Sequence, residues 1–399
     1  MIPDNTYIIQ SENGDILYAP LSRHVCRIPC DISKVTIPAP VINIDKSNSD
    51  FSFLWGHVII LPTQVCNLAC TYCYARLAHS KQFMKKETLQ VVYDYVLSQR
   101  QVKNKSVSFI GGGEPLVVWD ILKWSIEYLE NHKESSDSID IFLTTNGTLL
   151  NPERIDFLLQ HNVHIEVSFD IIKDLQDSQR PFLSDKSSSY ESVIRQISIL
   201  EEKGASYRIR TTITPKSVSL MPEMVKQLIG LKGIRKIQLE PVTQDKAHPL
   251  AFYRKYIEYF WSARNLGRQN NINVSNSIVA SVNTIRNQFC TGEFCITPNG
   301  MIVACHRNSS PEDSLYSLSL VGKVTDKLKI QHQQFDAFRT RNALPSRCEH
   351  CFARWHCAGF CPLEWENTTS SDIKNKCWFI QENVKRALEE IIEETKEQL

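Results

Sequence analysis

The sequence predicts an α/β fold, in which a partial (β/α)6 TIM-like barrel follows a small N-terminal unit and precedes an irregular, cysteine-rich region. Three observations predict this fold. Apolar strand-like runs alternate with helical patterns from about residue 51, polar or glycine residues follow several of these runs, and eight of the 13 cysteines lie after residue 289. Such alternation is typical of parallel strands joined by right-handed crossovers. Six units favour an incomplete barrel over a closed eight-stranded one.

The predicted N-terminal unit covers residues 1–50. Short apolar runs at 7–9 and 16–18 flank Asn13-Gly14, a dipeptide that is typical of tight hairpin turns. Two prolines and the polar stretch 45–50 then predict a linker. We therefore expect a small β-rich unit before the barrel.

The predicted barrel covers residues 51–285. Its strands are expected at 58–61, 106–110, 139–143, 164–169, 207–213 and 236–239. Its helices are expected at 87–99, 117–131, 152–160, 189–203 and 221–231. Chemistry on parallel sheets lies at the carboxyl ends of the strands. The residues that directly follow these strands are therefore the first candidates for a site.

The third predicted region covers residues 286–399. Glycine and cysteine interrupt its short segments, and the one long helix that we expect runs from about 379 to 397. A region that is poor in long apolar elements needs another source of stability. Bound metal can supply that stability.

Charge and hydropathy exclude several classes of protein. The chain has 45 Lys and Arg against 44 Asp and Glu, so it lacks the basic excess of a general nucleic-acid binder. It has no apolar run long enough to span a membrane, and its first residues lack the pattern of a secretory signal. We expect a cytoplasmic protein without nucleic-acid or membrane partners. In a reducing compartment, 13 thiols favour metal binding over disulfides.

The first cysteine motif directly follows the first barrel strand. It consists of Cys66, Cys70 and Cys73, whose spacings let three thiolates gather on one side of a loop. Thiolates hold iron–sulfur clusters, generally four for a [4Fe–4S] cube, so three ligands leave one iron open. A zinc site or buried structural thiols are the alternatives. Structural zinc prefers four protein ligands, however, and no fourth Cys or His is adjacent.

This CxxxCxxC loop after the first strand of a partial barrel resembles the radical S-adenosylmethionine (SAM) superfamily. The resemblance implies that the amino and carboxylate groups of SAM chelate the open iron, and that the backbone of Tyr72 lies near the adenine. Gly112-Gly113-Glu114-Pro115 follows the second strand and resembles the family's GGEP motif. Glycines permit close approach of the backbone to a ligand, and Glu114 can accept hydrogen bonds from the methionyl ammonium.

Weaker matches follow the third and fourth strands. Asn146 lies at the end of the third strand, and Ser168 and Asp170 lie at the end of the fourth. In the family, this position often carries a ribose-contacting Ser within a Ser-x-Asp-Gly run. The present chain has Ile171 where glycine is common, so a different local backbone is expected.

Two further matches involve arginines. Asp177 and Arg180 resemble a downstream Asp–Arg pair, and Arg210 on the fifth strand is expected to meet the SAM carboxylate. For each of these weaker polar matches, the alternative is a side chain whose hydrogen bonds are satisfied within a loop or strand end.

The eight C-terminal cysteines have spacings that resemble those of the SPASM domain, which carries two auxiliary [4Fe–4S] clusters. The resemblance assigns the first auxiliary cluster to Cys290, Cys295, Cys305 and Cys361. It assigns the second auxiliary cluster to Cys348, Cys351, Cys357 and Cys377. Two zinc ions, each in one cysteine quartet, are the alternative. Cys26 and Cys30 match no motif.

The resemblance implies three [4Fe–4S] clusters and reductive cleavage of SAM to a 5′-deoxyadenosyl radical. SPASM-bearing members largely modify peptides or proteins, so the expected function is oxidation of a ribosomally made peptide, such as a C–C or thioether cross-link between side chains. An external electron donor of the flavodoxin or ferredoxin type is implied. The N-terminal hairpin, by β-augmentation, or a separate recognition protein would then hold a leader peptide.

Two alternatives stay open. An anaerobic sulfatase-maturing enzyme, which oxidises Cys or Ser to formylglycine, resembles the chain over both cluster regions. That group carries Asp as a proposed base directly after the Cys that matches Cys305, whereas this chain has His306. Histidine accepts protons near neutral pH, so His306 is the candidate catalytic base. The other alternative, a non-catalytic iron–sulfur or zinc scaffold, would not need Glu114.

Overall fold

A computed structural model of the 399-residue chain describes residues 5–28, 36–42, 55–75, 81–184, 186–243, 248–341, 344–361, 364 and 369–397. The predicted linker at 45–50 and Cys30 lie outside the described residues.

The N-terminal unit is a three-stranded antiparallel sheet. Its strands are β1 (Tyr7–Ile9), β2 (Ile16–Ala19) and β3 (His24–Arg27), with β2 in the centre. Gly14 in the turn between β1 and β2 has a φ of +98°, which glycine adopts without strain. The predicted hairpin is thus confirmed, and β3 adds a strand that the sequence did not predict.

The six predicted barrel strands are present, and each pairs in parallel with the next strand along the chain. Alternate residues of these strands are buried, as in Val107 and Phe109 or Ile141 and Leu143. The strands are β4 (His57–Ile60), β5 (Asn104–Phe109), β6 (Ser138–Thr145), β7 (His164–Ser168), β8 (Tyr207–Ile213) and β9 (Ile234–Pro241).

The five predicted barrel helices are also confirmed, with ends that differ by a few residues. Two of them begin with side-chain caps, because Asn151 and Ser188 each accept a hydrogen bond from the backbone three residues later. The helices of this region are α1 (Lys86–Leu97), α2 (Trp119–His132), α3 (Pro152–Gln160), α4 (Lys173–Gln179), α5 (Ser189–Glu202), α6 (Met221–Leu228) and α7 (Leu250–Gln269).

Two of these helices, α4 and α7, were not predicted. The buried aromatic residues Tyr253, Tyr256 and Phe260 recur along α7 at helical spacing, which is a signal that the sequence contains. Helix α4 is only two turns long, and its sequence is mostly polar, so its hydrophobic pattern is weak.

The parallel sheet extends beyond the six barrel strands. Strand β10 (Val274–Ser275) joins β9, and β11 (Phe294–Ile296) joins β4 in parallel at the other side. Antiparallel strands β12 (Met301–Val303), β13 (Leu320–Val324) and β14 (Leu328–Ile330) then follow β11. Part of the cysteine-rich region is therefore more regular than the sequence predicted, because strands of three to five residues carry too little periodicity to be recognised.

The last helix of the chain, α12 (Ser370–Glu397), begins nine residues before the predicted start and packs against α7 and β3. Glu390 of α12 accepts hydrogen bonds from Arg264 and Arg268 of α7. Four short helices complete the described C-terminal elements: α8 (Ser277–Ser281), α9 (Tyr316–Ser319), α10 (His332–Thr340) and α11 (Arg354–Cys357). None of the described helices is long and apolar enough to cross a membrane.

Candidate functional site

A cavity of about 370 Å³ lies at the carboxyl ends of the barrel strands. Its wall contains the first cysteine motif, Tyr72 and the glycine run after β5. The other side of the wall contains Asn146, Ser168, Arg210 and His306. The sequence analysis predicted residues that bind SAM, residues that hold its cluster, and a catalytic base. All of these residues except Asp170 line this one cavity.

The cysteine loop at 66–73 is held by the end of α4 and the chain segment that follows it. The backbone N–H groups of Ala69 and Thr71 donate to the carbonyls of Pro181 and Gln179, both at 2.8 Å, and Leu183 N donates to Asn67 O at 3.0 Å. Each of these hydrogen bonds joins residues that are more than 100 positions apart in sequence. The loop is therefore fixed by tertiary contacts in addition to its own turn, in which Cys73 N donates to Cys70 O at 3.2 Å.

The thiols of this loop have the donor chemistry that an iron–sulfur cluster requires. Burial raises the pKa of Cys66 to about 12 and also raises that of Cys70, whose shift Arg180 opposes. Iron binds thiolates and displaces their protons, so buried thiols of this kind suit a metal centre more than a nucleophile. The three thiols line the same cavity and thus fit a three-ligand cluster.

The glycine run is required by close packing against the start of the cysteine loop. A Cβ on Gly113 would lie 2.1 Å from the carbonyl oxygen of Val65, the residue before Cys66. Gly113 N donates to Thr63 O at 3.0 Å, and Glu114 N donates to Val65 O at 2.9 Å. Gly112 has a φ of +70°, in the left-handed region that glycine tolerates. This run therefore sets the position of Cys66, the first cysteine of the motif.

Glu114 joins the ends of β5 and β6. The residue is 2% exposed, and its carboxylate accepts hydrogen bonds from Thr145 Oγ1 at 2.6 Å, Asn146 N at 2.7 Å and Leu116 N at 3.1 Å. Burial raises the pKa of Glu114, and the hydrogen bond from Asn146 opposes that rise most. Of these three hydrogen bonds, Oε2 accepts only the one from Asn146. Oε2 can therefore accept a further hydrogen bond from a ligand in the cavity.

Asp170 lies beneath the cavity wall and does not line the cavity. It is fully buried, and its Oδ2 accepts hydrogen bonds from Tyr72 Oη at 2.6 Å and Gln179 Nε2 at 2.9 Å. Arg180 Nε lies 3.2 Å from Asp170 Oδ1, and the guanidinium lies 5.2 Å from the centre of the Tyr72 ring. Asp170 therefore positions Tyr72 and Arg180 rather than contacting the cavity.

The expected Asp177–Arg180 pair is not formed. Asp177 lies at the end of α4 and accepts hydrogen bonds from Ser188 Oγ and Tyr190 N, at the start of α5. A carboxylate is favoured beside a helix N-terminus, which explains this placement. Arg180 pairs with Asp170 instead.

Ile171 takes a backbone conformation that glycine adopts readily. Its φ is +68°, and its side chain is 1% exposed. A β-branched residue is strained in this region, so the neighbouring contacts of the side chain must hold it there. The backbone at Ile171 is thus of the kind that glycine takes without strain.

His306 is held by an acidic residue that the sequence analysis did not identify. Glu293 accepts a hydrogen bond from His306 N at 2.7 Å, and its Oε2 lies 2.9 Å from His306 Nδ1. Burial raises the pKa of Glu293, but His306 and Arg307 outweigh this and lower it overall. Because Nδ1 faces Glu293, a proton exchanged with a ligand would pass through Nε2.

The cysteines assigned to the second auxiliary cluster lie together. A small cavity of about 20 Å³ is lined by Cys348, Cys351, Cys357 and Cys377. Gln381 Nε2 donates to Cys351 Sγ at 3.2 Å, and burial raises the pKa of Cys357 to about 12. Four thiols around one cavity fit a cluster with four thiolate ligands.

The cysteines assigned to the first auxiliary cluster form two pairs whose members interact electrostatically. Cys305 raises the pKa of Cys295, and Cys361 raises the pKa of Cys290. Burial is the main cause of the rise in both pKa values. Across the ranges that the structure describes, no three His, Cys, Asp or Glu side chains converge as they would around a single metal ion.

A second cavity, of about 540 Å³, adjoins the first. The two cavities share a wall that includes Arg210, Glu240 and Thr243, and the second is also lined by Cys357 and Cys361. Glu240, which the sequence analysis did not identify, accepts a hydrogen bond from Ser277 N at 2.6 Å. The second cavity therefore lies between the predicted SAM site and the auxiliary cysteines.

The N-terminal sheet docks beside the second cysteine quartet. Tyr18 Oη forms a buried hydrogen bond with Nε2 of His356, the residue before Cys357. His356 Nδ1 lies 3.0 Å from the carbonyl oxygen of Thr284. This sheet therefore contributes to the packing around the auxiliary site, and its suggested role in holding a leader peptide stays a prediction.

The comparison with protein families is decisive for the barrel. Residues 60–216 match the sequence profile of the Radical SAM superfamily, a range that contains the cysteine loop and the glycine run. The chain carries a radical SAM domain. It is an enzyme of the radical SAM type, and SAM with a [4Fe–4S] cluster are the cofactors on which that domain depends.

The radical SAM domain has relatives whose names describe maturation chemistry. The cysteine-type anaerobic sulfatase-maturating enzyme of Clostridium novyi is 24% identical over 265 residues, which cover 60% of this chain and 70% of that protein. The radical SAM cyclopropyl synthase TigE of Paramaledivibacter caminithermalis is 22% identical over 324 residues, which cover 74% of this chain and 65% of that protein.

A solved structure shows the same fold. Native anSMEcpe with bound AdoMet superposes with a TM-score of 0.71 at 18% identity, covering 86% of this chain and all of that one. The likeness extends well beyond the radical SAM domain into the cysteine-rich region. A further structure of that protein also contains a bound peptide.

Proposed function

We propose that this radical SAM enzyme oxidises a ribosomally made peptide, joining two of its side chains through a C–C or thioether bond. The observation that carries this proposal is the adjacency of the two cavities. The cavity with the first cysteine motif shares a wall with one that is lined by Cys357 and Cys361. A substrate in the second cavity would lie between a radical source and an electron acceptor.

The residues of the first cavity would bind and orient SAM. Cys66, Cys70 and Cys73 would hold the cluster, and Gly113 lets the backbone approach the ligand closely. Arg210 lines both cavities and supplies a positive charge for the SAM carboxylate. When bound, SAM and its cluster supply a 5′-deoxyadenosyl radical that takes hydrogen from a C–H bond.

The eight C-terminal thiols would hold two auxiliary [4Fe–4S] clusters, which makes three clusters in all. Two auxiliary clusters offer a path for the electron that leaves an oxidised substrate. Each motif thiol then has a ligand role, and the open corner belongs to SAM. An external donor of the flavodoxin or ferredoxin type would supply the electron that starts the reaction.

The second cavity would hold part of the peptide. Its volume of about 540 Å³ is within the range of pockets that enclose a small molecule, about 300–1,000 Å³, and so suits one or two side chains. Its wall offers aromatic residues and both signs of charge, including Phe289, Glu240 and Arg286. The N-terminal hairpin or a separate leader-binding protein would hold the rest of the peptide.

Formylglycine formation on a sulfatase is the second candidate function. It is favoured by His306, which lines the first cavity at the position after Cys305 and has its Nδ1 held by Glu293. A side chain fixed in this way is a candidate base for removing a proton from the substrate Cys or Ser.

Mass spectrometry separates these functions. The chain is co-expressed anaerobically with a small peptide that is encoded beside its gene, and the peptide is then sequenced by tandem mass spectrometry. Loss of two hydrogens between two side chains supports cross-linking. A Cys that loses hydrogen sulfide and gains oxygen supports formylglycine, and unchanged mass with deuterium uptake indicates epimerisation instead.

The control is Cys70→Ala, which should abolish SAM cleavage and leave the peptide unmodified while the auxiliary clusters remain. Formation of 5′-deoxyadenosine after reduction with dithionite measures the cleavage. A wild-type protein that is fully loaded with iron but forms no 5′-deoxyadenosine would favour the non-catalytic scaffold.

A further inference from the structure

Arg286 lies where the two auxiliary cysteine quartets meet. Its backbone N–H donates to Trp355 O at 2.9 Å, and its Nε donates to His356 O at 2.7 Å, directly before Cys357. Four residues later, the chain reaches Cys290. Arg286 thus connects a cysteine of one quartet to a cysteine of the other.

The positive charge of Arg286 has no carboxylate partner among the residues that the structure describes. Its other described contact is with the ring of Phe289, whose centre lies 5.1 Å from the guanidinium. The side chain is partly buried and lines the 540 Å³ cavity together with Cys357 and Cys361. Burial of a cation is unfavourable unless negative charge lies nearby, so the absence of a carboxylate among the described contacts of Arg286 requires an explanation.

Two cysteines, one from each quartet, interact with the charge of Arg286. Burial lowers the pKa of the guanidinium, and Cys357 and Cys290, one from each quartet, oppose that shift. Bound clusters would make both sites anionic, because each holds four thiolates.

We propose that Arg286 is a counter-charge shared by the two auxiliary clusters and that it raises the reduction potential of both. This inference rests on the proposed two-cluster assignment. Reduction adds one electron to a cluster, and a nearby cation stabilises that added negative charge. Net charge around a cluster is among the factors that set its potential. Arginine stays protonated at all relevant pH values, so the effect does not depend on a titration.

The test is EPR-monitored redox titration of the reconstituted full-length chain. A parent variant with Cys66, Cys70 and Cys73 changed to Ala removes the signal of the SAM cluster. Into this parent we introduce Arg286→Gln, which removes the charge, and Arg286→Lys, which keeps it. Arg235→Gln, at the amino end of β9 and far from the cysteines, is the matched control.

We expect Arg286→Gln to lower the equilibrium constant for reduction of each auxiliary cluster by about tenfold. For one electron, this corresponds to a reduction potential that is about 59 mV lower. Arg286→Lys should recover most of the shift, and Arg235→Gln should leave both potentials unchanged. Loss of iron in Arg286→Gln with retention in Arg286→Lys would also support the charge role.

Three results would overturn the inference. Potentials in Arg286→Gln equal to those of the parent, with iron retained, would refute the charge role and leave the proposed function intact. Loss of iron in both Arg286 variants would show that the hydrogen bond to His356 is structural. A parent that binds fewer than about eight irons would refute the two-cluster assignment and, with it, this inference.

Discussion

Gly113→Ala tests how the glycine run controls the cysteine loop. The new Cβ would lie 2.1 Å from Val65 O, whereas carbon–oxygen contacts are normally about 3.3 Å or longer. The carbonyl beside Cys66 must therefore move by about 1.2 Å, or the glycine run must move away from it. Overpacking of this kind costs about 1–3 kcal/mol of folding stability.

Gly113→Ala should lower activity as well as stability. A displacement of about 1 Å at a site that positions reacting groups can lower the rate by about 100-fold. We expect Gly113→Ala to bind less iron at the SAM cluster and to form 5′-deoxyadenosine about 100-fold more slowly. The assays are iron content after anaerobic reconstitution and 5′-deoxyadenosine formation with dithionite.

The matched control is Gly233→Ala, whose Cβ would lie 2.2 Å from Ala205 O. Gly233 precedes β9 at the amino end of the sheet, away from the cysteine loop. The two variants should lose similar stability in urea unfolding, but Gly233→Ala should keep the SAM cluster and its activity. Equal SAM cleavage by the two variants would refute the idea that the glycine run sets the loop.

Three further variants test other contacts. Tyr72→Phe should cost about 1.5–3 kcal/mol in urea unfolding and raise the KM for SAM, because buried Asp170 loses a hydrogen bond. The control Tyr128→Phe removes a hydrogen bond of the same 2.6 Å length in an exposed position and should cost well under about 1 kcal/mol. Tyr18→Phe should cost about 1–3 kcal/mol, since His356 loses its buried partner; an unchanged midpoint would contradict this. Cys351→Ala should lower peptide product but keep 5′-deoxyadenosine, and unchanged product would contradict the auxiliary assignment.

Local pattern was enough to predict the barrel. The strands around Val107 and Ile141 alternate clearly, and each is followed by a helix with its own period. The same pattern places Cys66 and Gly113 after adjacent strands, so their proximity follows from the sequence alone. Strands β11 and β12 are too short to show this periodicity, and the pairing of β11 with β4 joins distant parts of the chain.

The contacts between side chains at the site were less predictable. The family resemblance suggested an Asp177–Arg180 pair. In the structure Asp177 accepts a hydrogen bond from the start of α5, and Arg180 pairs with Asp170. Glu293 approaches His306 because β11 and β12 bring them together across 13 positions of sequence. A lone glutamate between two cysteines carries no signal of that contact.

Spectroscopy with labelled SAM tests the central claim most directly, namely that three thiolates leave one iron of a cluster open for SAM. The reduced enzyme is mixed with SAM that carries ¹⁵N in its amino group and ¹⁷O in its carboxylate, and electron–nuclear double resonance is recorded. We predict hyperfine coupling from both labels, which is lost in Cys70→Ala. Absence of coupling in an iron-loaded wild-type protein, or zinc bound by residues 66–73, would contradict the account.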